Sequence, residues 1–190
     1  MLAARDLESF PFVVIDHKRE KDGVGALPAE TLNPNSIFLP QRGLHVIKAD
    51  PKGNDKDDIE AFLERCFERG KIGIYVDEGH LLGFSKTMRA IMIAGRSKRV
   101  PVMWISQRAH WIDPFIWSQA SFYRAFDLQG PHDIKRFNEN FPSKWRKPEE
   151  FHSWYYDVGK GRMSYLRPSP VLSDSVTRLE NRLTKHYRAV

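Results

Sequence analysis

The sequence predicts an α/β fold in which helices cover a mostly parallel sheet. Three apolar segments, at residues 10–16, 72–77 and 100–105, have the length of buried strands and end in polar side chains. Segments with helical periodicity separate the strands along residues 1–141. Strands that alternate with helices form parallel sheets, because each parallel pair requires a crossover connection. We therefore expect a parallel sheet whose polar strand ends share one edge.

The composition excludes several classes of protein. The 190 residues fit one domain with a substantial core. No apolar run approaches the roughly 18 residues of a membrane span, and acids at positions 6 and 8 come too early for a signal peptide. Cys66 is the single cysteine, so the chain has no internal disulfide and no cysteine metal cluster. These features predict a cytoplasmic protein without a membrane partner.

The charge favours a polyanionic partner. The formal net charge is +6 and the sequence pI is about 9.5, which is typical of proteins that contact nucleic acid. A protein that is basic for no functional reason would carry the same charge, so the alternative stays open. The basic clusters are Arg96-Ser97-Lys98-Arg99, Lys135-Arg136, Lys144-Trp145-Arg146-Lys147, and a tail with Arg178, Arg182, Lys185 and Arg188.

The elements of the first half follow from local patterns. Residues 1–7 are predicted to be the end of a helix, and strands are predicted at 10–16 and 45–49 on either side of a turn-rich stretch. A helix is predicted at 57–69, because its apolar residues recur at helical spacing and Gly70 can end it. Those apolar residues are Ile59, Phe62, Leu63, Cys66 and Phe67.

The second half continues the alternation and then changes character. Helices are predicted at 85–94 and 131–141, with a strand at 121–129 and a short helix that starts at Asp113-Pro114. Residues 154–158 and 162–166 flank Gly159-Lys160-Gly161, which predicts a hairpin with a glycine turn. This Gly-Lys-Gly lacks the further glycine and the Ser or Thr of a phosphate loop. A basic helix is predicted at 173–187.

Polar groups follow three of the predicted strands, where parallel strands would bring them together. Asp16 follows the first, Asp77-Glu78 the second and Ser106-Gln107-Arg108 the third. Two adjacent acids suit nucleotide hydrolysis, because one can hold hydrated Mg²⁺ and the next can orient the attacking water. An amide such as that of Gln107 can contact a γ-phosphate or water. The alternative is that these residues mark only the solvent ends of core strands.

These segments resemble a known family. Residues 12–18 (Phe-Val-Val-Ile-Asp-His-Lys), 74–80 (Ile-Tyr-Val-Asp-Glu-Gly-His) and 104–108 (Trp-Ile-Ser-Gln-Arg) are similar to successive motifs of the FtsK/HerA-type P-loop ATPases. That group includes DNA-pumping motors and phage or viral genome-packaging ATPases. The resemblance covers about residues 1–141.

The resemblance implies a RecA-like (ASCE) parallel sheet with helices on both faces. Residues 1–150 would form the ATPase core, and 151–190 would be a hairpin and basic helix packed on it. ATP and Mg²⁺ would be the cofactors, and the partners would be double-stranded DNA, copies of this chain in a ring of five or six, and capsid or portal proteins.

The resemblance also implies roles for single residues. Asp77 and Glu78 match the Walker B pair, so Asp77 would serve Mg²⁺ through water and Glu78 would be the catalytic base. Gln107 matches the polar sensor, and Asp16 and Lys18 would lie at the nucleotide. Arg96 or Arg108 would act on a neighbouring subunit's nucleotide. The residues predicted to contact nucleic acid are Lys98, Arg99, Lys144, Arg146 and Lys147.

One departure from the family is large. No Gly-x-x-x-x-Gly-Lys-Ser/Thr occurs in the 190 residues, although that loop would bind the phosphates. We expect a truncated chain that lacks the first strand and its loop; the alternative is a chain that has rearranged to close the gap. In the family that strand lies between the one ending at Gln107 and the one at 121–129.

Two other hypotheses remain open. The chain could be a catalytically inactive, basic nucleic-acid-binding or assembly module with the same fold, which the missing loop favours. It could also be a metal hydrolase that uses Asp77, Glu78 and His80, although no second His/Asp cluster has matching ligand spacing.

Overall fold

A computed structural model describes residues 10–18, 29–83 and 85–168. The described residues form two compact units, one ending at Ile105 and one beginning at Ser106. The domain boundary expected after residue 150 falls inside the second unit. The helices predicted at 1–7 and 173–187 lie outside the described residues.

The first unit contains a five-stranded parallel sheet. Its strands are β1 (Phe12–Asp16), β2 (Glu30–Thr31), β3 (Leu44–Lys48), β4 (Gly73–Asp77) and β5 (Val102–Trp104). Their order in the sheet is β2-β3-β1-β4-β5, and all four pairings are parallel. The predicted parallel sheet is therefore confirmed. It places the ends of β1 and β4 side by side.

Two helices build the core of this unit. They are α1 (Lys56–Arg69) and α2 (Lys86–Lys98), and they pack against each other. The apolar side of α1 is buried as its periodicity predicts, with Phe62 and Leu63 fully inaccessible and Phe67 half-buried. These side chains pack with Val13, Ile15, Ile74 and Val76 of the central strands. This packing explains why β1 and β4 read as continuous apolar runs.

β5 differs from the strand expected at 100–105. It is shorter and less buried, with 53% of Met103 accessible and, just beyond the strand, 37% of Ile105. Within the described residues β5 pairs only with β4 and forms one edge of the sheet. An edge strand lacks the second neighbour that would cover its side chains.

The second unit contains two helices and a three-stranded antiparallel sheet. The helices are α3 (Pro114–Gln119) and α4 (Pro131–Asn140), and the strands are β6 (Phe122–Ala125), β7 (Ser153–Asp157) and β8 (Arg162–Leu166). Asp113 caps α3 by accepting a hydrogen bond from the N–H of Phe115, as its Asp-Pro start predicts. The predicted hairpin is confirmed by the pairing of β7 with β8.

The prediction of a strand at 121–129 needs correction in both its length and its pairing. It covers only Phe122–Ala125, and it pairs antiparallel with β7 rather than parallel with the strands of the first unit. Its inward side chains pack in an aromatic core that centres on Phe137 and Phe141, whose rings stack with centroids 3.8 Å apart. Long-range aromatic packing of this kind is not visible in local periodicity.

None of the described helices is both long enough and apolar enough to cross a membrane.

Candidate functional site

Two aspartates lie side by side where adjacent parallel strands end. Asp16 is the last residue of β1 and Asp77 the last residue of β4, and the two are register partners. They are 3% and 9% accessible. Since both strands run in the same direction, their carboxyl ends share one edge of the sheet. The structure thus brings Asp16 and Asp77 together, as the sequence predicts.

Glu78 follows β4 in an unusual backbone conformation. Its φ and ψ are 50° and 51°, in the left-handed region that non-glycine residues rarely adopt. This turn ends the strand and starts the short 3₁₀ helix Gly79–Leu81. Glu78 is only 4% accessible, so its carboxylate is buried beside that of Asp77.

Gly79 secures this turn against the neighbouring strand. Its N–H donates to the carbonyl of Ile105, whose own N–H donates to the carbonyl of Val76. A Cβ at position 79 would overlap the indole ring of Trp104. The turn that carries Glu78 is therefore packed directly against the end of β5, and only glycine fits there.

Lys18 and two histidines surround the acidic pair. The ammonium nitrogen of Lys18 lies 3.1 Å from Oε1 of Glu78 and 3.9 Å from Oδ2 of Asp77. His17, which is 3% accessible, places Nδ1 2.9 Å from the carbonyl oxygen of Asp77. A carbonyl only accepts, so this nitrogen carries the proton. Nδ1 of His80 lies 3.5 Å from Oε2 of Glu78.

Burial and crowding perturb two ionisable groups. Desolvation raises the pKa of Asp77 above its usual value, the charge of Lys18 opposes this, and the charges of Glu78 and Asp16 raise it further. Desolvation also lowers the pKa of His80, although Glu78 acts in the opposite direction. An acidic group whose charge is disfavoured in this way would be stabilised by an added cation.

The carboxylates at this edge are too few to surround a metal ion by themselves, but they suit a magnesium ion that is also bound by water and a nucleotide. The described residues contain no group of three or more His, Cys, Asp or Glu side chains that could together hold a metal. The metal-hydrolase hypothesis for Asp77, Glu78 and His80 therefore gains no support. Mg²⁺ commonly takes one or two carboxylates and completes its shell with water and substrate phosphates. Asp77 can supply such an oxygen ligand.

Gln107 and Arg108 belong to the second unit. Gln107 is exposed and lies two residues beyond Ile105. Its predicted sensor role, and its predicted convergence with Asp16 and Asp77, stay predictions. Arg108 contacts a buried carboxylate within its own unit: its Nε donates to Oδ2 of Asp133 at 2.8 Å. The sequence analysis assigned no role to Asp133, although an acid in the first turn of a helix is a recognisable pattern.

The predicted basic residues fall into two groups, one in each unit, and Lys98 is only partly exposed. Lys98 and Arg99 lie at the end of α2 with Arg96, in the first unit. Lys144, Arg146 and Lys147 are exposed in the second unit, where Lys147 pairs with Asp127 at 3.3 Å. Exposed cations such as those of Lys144 and Arg146 can be reached by a polyanion.

Comparisons with known proteins show which fold the chain shares. No protein-family model matches the chain. The solved structures that the chain resembles include the genome-packaging NTPase B204 of Sulfolobus turreted icosahedral virus 2, with ATP-gammaS and with AMPPCP. They also include B204, the DNA-packaging ATPase of Sulfolobus turreted icosahedral virus. Their TM-scores are 0.66, 0.68 and 0.64, at 12%, 12% and 14% identity. The matches cover 84%, 86% and 84% of this chain and 83%, 85% and 83% of those chains. The chain has the RecA-like fold of viral packaging NTPases.

The chain also has a sequence relative among phage proteins. The chain is 29% identical over 196 residues to the DNA packaging ATPase P9 of Enterobacteria phage PRD1, across 94% of this chain and 83% of the relative. The predicted resemblance to phage and viral genome-packaging ATPases is confirmed.

Proposed function

We propose that this chain is the ATP-hydrolysing part of a motor that packages double-stranded DNA. The observation that carries the proposal is the burial of Asp16, Asp77 and Glu78 together at the carboxyl edge of a parallel sheet. Open α/β sheets place ligands at this edge. The similarity to the packaging ATPase P9 supports DNA packaging as the process that the hydrolysis drives.

Asp77 and Glu78 divide the chemistry between them. Asp77 would hold hydrated Mg²⁺ through its carboxylate, because a cation there would offset the burial that disfavours the charged carboxylate. Glu78 accepts the proton of the attacking water at a carboxylate oxygen. The Mg²⁺ that accompanies ATP, when bound, neutralises charge on the transferring phosphoryl group. The left-handed turn at Glu78 and the packing of Gly79 fix the direction of the base.

The surrounding residues position this pair. Lys18 holds the Glu78 carboxylate from one side and reaches toward Asp77. Asp16 accepts the backbone N–H of Lys18 at 3.1 Å, which fixes the lysine backbone next to the acids. Gln107 orients water or contacts the γ-phosphate in this proposal, and Arg96 or Arg108 meets charge that develops on the phosphoryl oxygens.

The remaining parts of the proposal concern partners. Double-stranded DNA binds through exposed basic residues, and several copies of the chain form a ring of the FtsK/HerA type, with five or six members. Capsid or portal proteins of the virus bind this ring. The clusters that meet DNA are Lys98 and Arg99 in one unit and Lys144, Arg146 and Lys147 in the other.

A second candidate function rests on one observation. The 190 residues contain no Gly-x-x-x-x-Gly-Lys-Ser/Thr, and that loop would supply most of the phosphate contacts. The chain would then be a DNA-binding or assembly module that does not turn over ATP. In either case we expect the isolated chain to bind ATP weakly, and micromolar affinity by calorimetry would contradict this.

The experiment that tests the function compares Glu78→Gln with the parent in the gene product as it is made in its host. We expect Glu78→Gln to keep nucleotide binding and to lose ATP hydrolysis by at least about 100-fold, because the substitution removes the proton acceptor but keeps the shape. Glu64→Gln, an exposed change on α1, is the matched control and should hydrolyse ATP normally.

Two results would reject the ATPase proposal. Unchanged hydrolysis in Glu78→Gln would remove Glu78 from the chemistry. A parent that binds DNA but neither binds nor hydrolyses ATP would favour the non-catalytic module.

A further inference from the structure

A buried carboxylate in the second unit holds a partly exposed arginine. Asp133 is 1% accessible, and its Oδ2 accepts a hydrogen bond from Nε of Arg108 at 2.8 Å. The side chain of Arg108 is 40% accessible. One end of the guanidinium is therefore anchored inside the protein while the side chain still reaches solvent.

The second oxygen of Asp133 is also engaged. Oδ1 accepts from the backbone N–H of His110 at 3.0 Å, and it lies 2.8 Å from Nδ1 of the same residue. Both oxygens of the carboxylate are thus fixed, one by Arg108 and one by His110. An aspartate held on both sides cannot rotate, so the direction of the arginine is fixed with it.

The surroundings of the guanidinium leave it little freedom. A Cβ at Gly130 would lie 2.9 Å from Nη2 of Arg108, so this nitrogen sits directly over the glycine. On another side, the guanidinium carbon is 5.8 Å from the centre of the Trp111 ring. The backbone of Gly130 has φ −142° and ψ 152°, which any residue can adopt. A methyl group at position 130 would therefore displace Nη2 of Arg108 without straining the backbone.

This arrangement is more than a surface ion pair needs. Burying the carboxylate of Asp133 costs desolvation free energy, which opposes folding. The partly exposed Arg108 is solvated by water and does not need a buried carboxylate as its partner. A bond at Nε leaves the Nη atoms as the donors that can meet a ligand, and their fork matches the oxygens of a phosphate. These contacts hold the guanidinium of Arg108 in one direction.

We infer that Asp133 is a positioning residue that presents Arg108 to a phosphate oxygen. His110 fixes the carboxylate of Asp133, and Gly130 leaves room for Nη2 of Arg108. The inference rests on the proposed function, and it selects Arg108 rather than Arg96 as the arginine that acts on phosphate. Two sources supply that chemistry, the nucleotide and the DNA backbone. Asp133 and His110 act through Arg108 and do not touch the phosphate.

The test uses two variants that disturb the aim in different ways. Asp133→Asn keeps the shape of the side chain but removes its charge. Gly130→Ala removes no charge and no hydrogen-bonding group, and its methyl group displaces Nη2 of Arg108. The matched controls are Glu150→Gln, an exposed acid of the same unit, and Gly159→Ala, where a Cβ would meet only an ordinary contact at 3.6 Å.

The first measurement observes the anchor directly. In the parent, the Nε–H of Arg108 should give a resolved nitrogen-15 NMR signal that is slow to exchange with solvent, and Arg108→Lys assigns it by its loss. Exchange should be at least about tenfold faster in Asp133→Asn, because the acceptor is weaker. An exchange rate in Asp133→Asn equal to that of the parent would overturn the inference.

The second measurement separates the two sources of phosphate in the gene product as it is made in its host. If the nucleotide is the source, both variants should lower kcat by about 10- to 100-fold with little change in KM. If the DNA backbone is the source, both should weaken DNA binding at fixed salt and leave kcat unchanged. Either pattern supports the inference, and Arg108→Lys should follow the same pattern.

The outcomes also separate this inference from the proposed function. Normal kcat and normal DNA affinity in both variants would overturn the role of Asp133 even where Glu78→Gln abolishes turnover. If Glu78→Gln has no effect, the proposed ATPase function fails, and the exchange rate with the DNA affinity still decides the role of Asp133.

Discussion

The ammonium nitrogen of Lys18 lies 3.1 Å from Oε1 of Glu78, and this pair links the end of β1 to the turn after β4. The side chain of Glu78 is 6% accessible and that of Lys18 is 28% accessible. A buried carboxylate next to two buried aspartates needs a positive charge nearby. Lys18 supplies this charge from a position two residues beyond the end of β1.

Lys18→Met should therefore destabilise the protein. Methionine keeps much of the length of the side chain but leaves the buried acids without this cation, and we expect a loss of about 1–3 kcal/mol in the free energy of unfolding, below that of fully buried pairs because Lys18 is partly exposed. Urea unfolding measures the change, with exposed Lys52→Met as control. Equal stability of both variants would show that the pair contributes little.

Asp77→Asn should stabilise the protein in the absence of nucleotide. Burial raises the pKa of Asp77, so the folded state binds its proton more tightly than the unfolded state. Stability from this group is present below the unfolded pKa and is lost as pH rises through the folded pKa. We expect a gain of about 0.5–2 kcal/mol at neutral pH that disappears below about pH 4. Thermal unfolding at several pH values measures it, and a gain that grows toward acid pH would contradict the sign.

Gly79→Ala should disturb the turn that carries Glu78. The added methyl group would overlap the ring of Trp104. The hydrogen bond from the N–H of Gly79 to the carbonyl of Ile105 holds the two segments close together. We expect a loss of about 1–3 kcal/mol from overpacking, together with a shift in tryptophan fluorescence. Gly159→Ala is the matched control. Unchanged fluorescence and stability would show that the turn accepts the methyl group without displacing Trp104.

Cys66 should be inert in the folded protein. The side chain is fully buried on α1, and desolvation raises the pKa of its thiol to about 12. The thiolate is the reactive form, so a disulfide reagent at pH 8 should modify the unfolded chain in minutes and the folded chain only through unfolding. Rapid modification without denaturant would contradict the burial of α1.

DNA binding should depend steeply on salt and little on sequence. Each phosphate contact releases counterions, so the plot of log affinity against log salt should have a slope of about −0.9 per contact. Replacing Lys144, Arg146 and Lys147 by glutamine should make the slope shallower by up to about 3. The matched control replaces exposed Lys52, Lys56 and Lys86 and should keep the slope. Equal slopes for the two triple variants would place the DNA elsewhere.

The sequence by itself determined the parts whose signal is local. The apolar runs that end at Asp16 and Asp77 gave the two central strands, and helical spacing from Ile59 to Cys66 gave the buried side of α1. Because parallel strands end at one edge, the meeting of Asp16 with Asp77 followed from these local patterns. The hairpin followed from its glycine turn.

Only the tertiary structure decided the contacts between distant segments. Arg108 and Asp133 are 25 residues apart, and the pairing of β6 with β7 joins Phe122 to Asp157. No periodicity encodes such partners, because they depend on how side chains fill a shared core. The same holds for the exposed edge at β5, which is set by the strands that lie beside it and not by its own apolar sequence.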